Sequence, residues 1–175
     1  MATPIEIDVW QGDIAELEVD ALVITANESL FMTAGAAASV KRLGGETIER
    51  TAVDQGPVHP GEAIATEAGT LAAAYVIHAV AVGHDRIADR QRLITAIRSA
   101  LAFAEPLQLR RMAFALIGIE HGVFSATDAA EILLEELTAS TDMRRLPESI
   151  VVATANAAET LAAGEALARR RARVT

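Results

Sequence analysis

The sequence predicts one α/β domain, built on a mixed, mostly parallel sheet with helices on both faces. Three observations predict it. Short apolar runs of strand length alternate with longer segments whose apolar residues recur at helical spacing. Most of the short runs are continuously apolar, as strands covered on both faces are. The chain has 175 residues, enough for one domain with a sizeable core and too few for two comfortable ones. No internal repeat, linker or low-complexity tract divides residues 1–175.

The elements follow in order. IEIDVW, Ile5 to Trp10, alternates apolar and polar with period two and reads as a half-buried strand. DALVITA, Asp20 to Ala26, reads as a strand buried on both faces, with Asp20 fixing its entrance. From Gly35 the chain reads as a helix that Gly44 and Gly45 end or interrupt, with a continuation towards Asp54. GEAIATEA and AAAYVIHAV are two strands separated by a short connection at Gly69. Arg86 to Glu105 carries Ile87, Leu93, Ile97, Leu101 and Ala104 at helical spacing, and Pro106 stops it. MAFALIG, Met112 to Gly118, is a buried strand. Thr127 or Asp128 can cap the next helix, whose stripe is Ile132, Leu133 and Leu137. SIVVATA is the last strand, and Asn156 to Arg171 the last helix.

Composition excludes several function classes. The net charge is −9 and Lys41 is the only lysine, so binding of nucleic acid through broad phosphate neutralisation is not expected. The arginines of ARRRARV, Ala168 to Val174, read as a solvated helix end whose cations suit the dipole. With no cysteine there is neither a disulfide nor a thiolate metal site. The four histidines lack ligand spacing: His78 reads as a core residue, His59 and His84 as exposed. We expect no metal and no cofactor. Mean hydropathy is +0.29, yet no apolar run reaches membrane-spanning length and no signal pattern follows Met1. A cytoplasmic protein without a membrane partner is expected; the sequence is silent on oligomeric state.

In open α/β sheets, ligands sit beyond the carboxyl ends of the strands. The segments leaving those ends are Gln11 to Ile14, Asn27 to Gly35 and Gly118 to Ser125, all three containing glycine. The string Gly12-Asp13-Ile14, the run DALVITAN from Asp20 to Asn27, and the later AGTLAAAYVIHAV together resemble the macro domain family. The likeness in element order extends from about Ile5 to Leu167. That resemblance implies a three-layer α/β/α fold and binding of ADP-ribose or a related nucleotide, free or attached to a protein.

It also implies roles by position. Asp13 would accept a hydrogen bond from the adenine amino group, with the Ile14 N–H assisting on the ring. Asn27 would bind the distal ribose. Thr33, Ala34, Gly35 and Ala36 would offer backbone N–H groups to the diphosphate at a helix N-terminus. The loop of Gly118, Ile119, Glu120, His121, Gly122 and Phe124 would close over phosphates and ribose. The alternative readings are that Asp13 simply caps a turn or helix and that Asn27 is a turn residue.

The chain departs from the family pattern in both phosphate loops. MTAGAAAS keeps only Gly35 of a usual glycine run, which matters only where φ must be positive. In GIEHGVFS, Glu120 stands where a glycine would present its N–H to the diphosphate, and Val123 and Ser125 replace a glycine and a proline. An inward carboxylate about 5 Å from a phosphate would cost roughly 3 kcal/mol at an effective dielectric near 20. His121, when protonated, would partly offset it. Hydrolytic branches of the family position water with an Asn, here Asn27, and often an acidic residue after the glycines, here missing. Glu120 is the other catalytic candidate, as a base on a bound ribose ester; Lys41 reads as a surface residue. An ADP-ribosyl hydrolase or O-acetyl-ADP-ribose deacetylase would rest on these two. The competing reading is a degenerate fold serving as an interaction or structural module. A phosphoesterase would need a metal cluster or a nucleophile, and no Gly-x-Ser-x-Gly elbow occurs.

Overall fold

The computed structural model describes residues 4–140 and 145–174. Six strands form a single sheet: β1 (Glu6–Gln11), β2 (Ala21–Asn27), β3 (Ala63–Glu67), β4 (Tyr75–Val82), β5 (Arg111–Ala115) and β6 (Ser149–Thr154). Their spatial order is β1-β6-β5-β2-β4-β3, parallel throughout except for β3, which runs antiparallel to β4 at one edge. Among the described residues there are five α-helices: α1 (Gly35–Gly44), α2 (Thr47–Gln55), α3 (Arg90–Leu101), α4 (Ala126–Ala139) and α5 (Ala157–Val174). The three-layer α/β/α arrangement expected from the sequence is what forms.

Handedness sorts the layers. The chain crosses from β2 towards β4 in one direction along the sheet and from β4 to β5 to β6 in the other. Right-handed crossovers therefore put α1 and α2 on one face and α3 and α4 on the opposite one. The contacts of α3 with α4 and of α4 with α5 place α5 on that second face, over β1 and β6. The core lies between: Leu22, Ile24, Ile77, Leu93, Ile97, Phe114 and Leu116 are essentially solvent-free. β2 is buried along Ala21–Ala26, as its continuous apolar run requires. In β1 only Ile7 is fully buried and Glu6, Asp8 and Trp10 are exposed, giving the period of two.

Asp20 does fix an entrance. Its carboxylate accepts the Arg110 and Arg111 N–H groups at 2.7 and 2.8 Å, and its carbonyl accepts those of Ala74 and Tyr75. One residue, through its carboxylate and its carbonyl, thus aligns the starts of β2, β4 and β5. His78 is fully buried in β4 with Nε2 3.0 Å from the Thr66 hydroxyl. His59 is exposed.

Several boundaries differ from expectation. α3 starts at Arg90 rather than Arg86, because Asp89 caps it by accepting the Gln91 and Arg92 N–H groups. The cap of α4 is Ser125, not Thr127 or Asp128. Its hydroxyl accepts the Asp128 N–H and donates to the Asp128 carboxylate, each within 3.0 Å. β5 ends at Ala115, so Leu116 to Gly118 already belong to the following loop. The connection between β3 and β4 is longer than a glycine turn, running from Ala68 to Ala74. The arginines near the C-terminus are not simply solvated. Arg169 and Arg170 pair with Glu131 of α4, Arg170 also reaches Glu135, and Arg171 donates to the Ile7 carbonyl at 2.8 Å. Among the described residues no helix is long and apolar enough to cross a membrane.

Candidate functional site

The carboxyl ends of β1, β2, β4, β5 and β6 open onto one cleft of two lobes. The larger, about 690 Å³, is lined by Gly12, Asp13, Ile14, Gly35, Ala36 and Ser39 on one side and Leu116, Ile119 and Glu159 on the other. The smaller, about 410 Å³, lies over Thr25, Asn27, Ser29, Thr33, Val82 and His84. Ala34, Glu120 and His121 line both lobes and so form the waist between them. Asp13 and Asn27, far apart on the sheet, therefore face adjoining halves of one depression.

Local chemistry shapes each wall. Gly12 is needed for space: a Cβ there would stand 2.2 Å from the Trp10 ring, which lies across it. Asp13 then caps the one-turn 3-10 helix Ile14–Glu16, accepting the Ala15 N–H at 3.0 Å. Its second oxygen accepts the Ser39 hydroxyl, with Arg42 3.6 Å away. Ile14 is buried beneath the lobe. The capping role read from the sequence is thus real, and a carboxylate with some four lone-pair sites still has capacity for a ligand donor.

At the end of β2 the register against β4 slips by one residue, so that Ala26 pairs with Val80 but Asn27 with Val82. Such bulges re-aim a side chain. Asn27 Oδ1 accepts the Ser29 N–H at 3.0 Å and Nδ2 donates to the Phe31 carbonyl at 3.1 Å. The turn reading of Asn27 is therefore also correct, and one lone pair and one amide hydrogen remain for a ligand. Leu30 takes φ 64°, a left-handed conformation, to bury its side chain against Ala26, Ala52, Val58 and Val80.

α1 begins without a side-chain cap at Ala34, which leaves its first N–H groups for an anion. Within Thr33–Ala36 only Gly35 has positive φ, 56°. The one glycine retained in this loop is the one that the backbone demands, and the neighbouring alanines carry no strain. Lys41 turns away to pair with Glu49 of α2 at 2.9 Å and lines neither lobe.

Glu120 points inward. One carboxylate oxygen is buried without a hydrogen-bond partner, and the other lies 3.3 Å from where a Cβ on Gly35 would stand. Burial pushes its pKa above the ordinary carboxylate value of 4.5, against the lowering pull of the Thr25 hydroxyl and nearby backbone N–H groups, and the charge of Glu159 adds to the rise. His121 beside it has φ 58° and is exposed. Of the residues expected to bind, Gly118, Gly122 and Phe124 stand outside the lining of both lobes. Gly118, at φ 95°, donates its N–H to the Thr25 hydroxyl and lies under Phe124, so these two brace the loop. Gly122, at φ 68°, has open space around it.

Sequence reasoning missed Ser39, Glu159, Ser29, His84 and Arg86. Glu159 had a legible signal, since Asn156 and Glu159 have capping-box spacing: Asn156 accepts the Glu159 N–H and Glu159 accepts that of Ala155. Ser29, His84 and Arg86 had none, because their meeting depends on two loops distant in the chain.

The model of the Macro domain matches residues 23–133. An uncharacterised protein of Mycobacterium tuberculosis is 34% identical over 130 residues, which cover 74% of this chain and 36% of that protein. The chain thus spans about a third of that relative's length. Among solved structures, the Oceanobacillus iheyensis macrodomain with MES bound is similar at TM-score 0.87 and 19% identity, over 94% of this chain and 92% of that one. The Trypanosoma brucei macrodomain in complex with ADP-ribose is similar at TM-score 0.85 and 22% identity, over 91% and 68%. With the family model spanning more than half of the sequence, and the sheet order and cleft as described, the chain belongs to the macro domain family.

Proposed function

We propose that the cleft binds ADP-ribose or a closely related nucleotide, free or carried by a protein. The observation that supports this reading most is the joining of two lobes at one waist, with a carboxylate in the larger and an amide in the smaller. In this reading the adenine enters the larger lobe, where Asp13 accepts from its amino group and rejects a base with an oxygen there. The diphosphate crosses the waist beside the uncapped start of α1. The distal ribose meets Asn27. The Trypanosoma brucei macrodomain, solved with ADP-ribose, lends the ligand by kinship of fold.

Glu120 sets the affinity. Ionised, its carboxylate at the waist opposes the diphosphate by roughly 3 kcal/mol, about a hundredfold; protonated, it can donate a hydrogen bond instead. Calorimetry with ADP-ribose on the wild type and Asp13→Ala tests the reading. Heat of binding with the wild type and its loss with Asp13→Ala are expected. No binding to the wild type at millimolar ligand would refute it, and unchanged binding to Asp13→Ala would refute its polarity.

The second reading is an interaction module whose nucleotide binding has been attenuated. The unpartnered, inward Glu120 oxygen favours it. Glu120→Gly separates the two: a sharp gain in ADP-ribose affinity over an undetectable wild type supports attenuation. For hydrolysis, Asn27 and Glu120 both border the smaller lobe, and loss of turnover of an ADP-ribosyl ester in Glu120→Gln is the expected sign of a base there.

A further inference from the structure

The row of α1 that faces the larger lobe carries a single hydroxyl. Ala36 and Ser39, three residues apart, both line the lobe, and Arg42 continues the row one turn on. Ser39 directly follows the run Ala36–Ala38 and is the one hydroxyl-bearing residue of Gly35–Gly44. A serine inside a helix commonly points to solvent or bonds the carbonyl one turn back. This one gives its hydrogen to Oδ2 of Asp13 instead, across the gap between α1 and the one-turn helix Ile14–Glu16. Arg42 stands behind it: Nη2 donates to Ser39 Oγ at 3.2 Å and lies 3.6 Å from the same Asp13 oxygen.

The donors run in one direction. A guanidinium has hydrogens and no acceptor, so Arg42 can only give a bond to Ser39. Ser39 has one side-chain hydrogen, and Asp13 takes it. The other Asp13 oxygen, Oδ1, accepts the Ala15 N–H at 3.0 Å. The terminal torsion of an aspartate is broad and two-fold, so a carboxylate held at one oxygen alone can swing about its last bond. Anchored at both, from α1 on one side and from the turn after β1 on the other, it presents a fixed plane to the lobe. The relay also leaves Ser39 no side-chain hydrogen with which to meet a carbonyl on a ligand.

We propose that Ser39 and Arg42 are positioning residues for base recognition, and that their relay makes the larger lobe select a 6-amino purine over a 6-oxo purine. Granted the nucleotide reading on which this rests, a 6-amino purine brings a donor to the fixed carboxylate. A 6-oxo purine brings an oxygen, which meets acceptor lone pairs and finds no hydrogen on Ser39 to offset them. Asp13 touches the base; Ser39 and Arg42 act through it. Without Ser39 the carboxylate keeps its Ala15 anchor and loses its plane, so the amino group is met less well and the oxygen is opposed less. Without Arg42 the bond from Ser39 to Asp13 survives but its direction is no longer enforced, and the effect has the same sign and a smaller size.

The test compares two probes by calorimetry, ADP-ribose and its hypoxanthine counterpart, inosine diphosphate ribose, and reads the ratio of their dissociation constants. The wild type should favour ADP-ribose. Ser39→Ala should lower that preference by about tenfold, as loss of a hydrogen bond to a charged group does. Ser39→Thr, which keeps the hydroxyl, should restore it, and Arg42→Ala should lower it less than Ser39→Ala. A merely structural Ser39 would leave the ratio in place, since alanine is the better helix former and disturbs both probes alike. A second measurement needs no ligand: in urea unfolding of Asp13→Ala, Ser39→Ala and the double variant, the losses should fall short of additive because one bond is removed by either change. A ratio unchanged in Ser39→Ala, or additive losses in the unfolding cycle, overturns the relay and leaves the nucleotide reading standing. No binding of either probe to the wild type removes the nucleotide reading and, with it, the selection assigned to Ser39.

Discussion

Glu120 and Gly35 face each other across the waist of the cleft, with the glutamate Oε1 lying 3.3 Å from the place a Cβ would occupy on Gly35. One residue comes from the loop after β5 and the other starts α1, so the two loops that border both lobes touch at this point. Gly35 is restricted twice over, by its φ of 56° and by the carboxyl opposite. Any ligand spanning both lobes must pass this pair.

The first prediction concerns that carboxyl. Its folded pKa lies above 4.5, so its contribution to stability is full below pH 4.5 and is lost as pH rises through the folded value. Glu120→Gln removes the ionisation while keeping the shape. The variant should gain stability over the wild type at neutral pH and show little gain below pH 4.5, read from urea unfolding at several pH values. It should also bind ADP-ribose more tightly at neutral pH, by up to about a hundredfold. Equal pH dependence in both proteins would show that the carboxyl is solvated.

His78 gives the opposite sign. Burial lowers its pKa from 6.5 to about 4, so stability is full above pH 6.5 and falls as pH drops towards 4. The loss from this one group is roughly 3 kcal/mol. Replacing both hydrogen-bonded partners, His78→Leu with Thr66→Val, removes the titration without orphaning either. Unfolding of the double variant should be flatter between pH 6.5 and 4; a wild-type slope retained in it would assign the acid sensitivity elsewhere.

Gly12→Ala should displace the single tryptophan. A methyl group placed 2.2 Å from the Trp10 ring cannot be accommodated without moving the indole, at a cost of about 1–3 kcal/mol. The emission maximum should shift red as the ring moves into water, with a lower unfolding midpoint. Emission and stability matching the wild type would mean that the indole yields freely.

Asp13 carries two separable duties. Asp13→Asn keeps an acceptor for the Ala15 N–H, whereas Asp13→Ala removes the cap and should cost about 1 kcal/mol. Both should erode the preference for adenine over hypoxanthine nucleotides, because an amide or methyl group no longer sets acceptor against acceptor. Competition binding with the two nucleotides measures this, and a preference intact in Asp13→Ala would remove the residue from base recognition.

How much was legible in the sequence depended on the range of the forces involved. The alternation of β1 and the apolar run of β2 are local patterns, and both strands fall within a residue of their expected ends. Asp13 and Asn27 were legible as strand-end residues, while their internal partners, Ser39 and the Ser29 and Phe31 backbone, were not. The inward turn of Glu120 depends on how the loop after β5 settles against Gly35, which no spacing encodes. Ser29 and His84 are 55 residues apart. The helix starts moved for a simpler reason: Asp89 caps α3 by reaching two N–H groups, and Ser125 displaces Thr127 and Asp128 as the cap of α4 by exchanging bonds with Asp128.

The guanidinium of Arg171 resting on the Ile7 carbonyl has a consequence for self-association. Glu6 and Gly12 send their N–H groups to Glu148 and Thr154, so the alternate residue Ile7 turns its carbonyl to the outer margin of the sheet. That margin is where a foreign strand would dock and seed growth of a larger sheet. A cation on the open acceptor, with Glu6 and Asp8 projecting nearby, makes that border a poor template for a foreign strand.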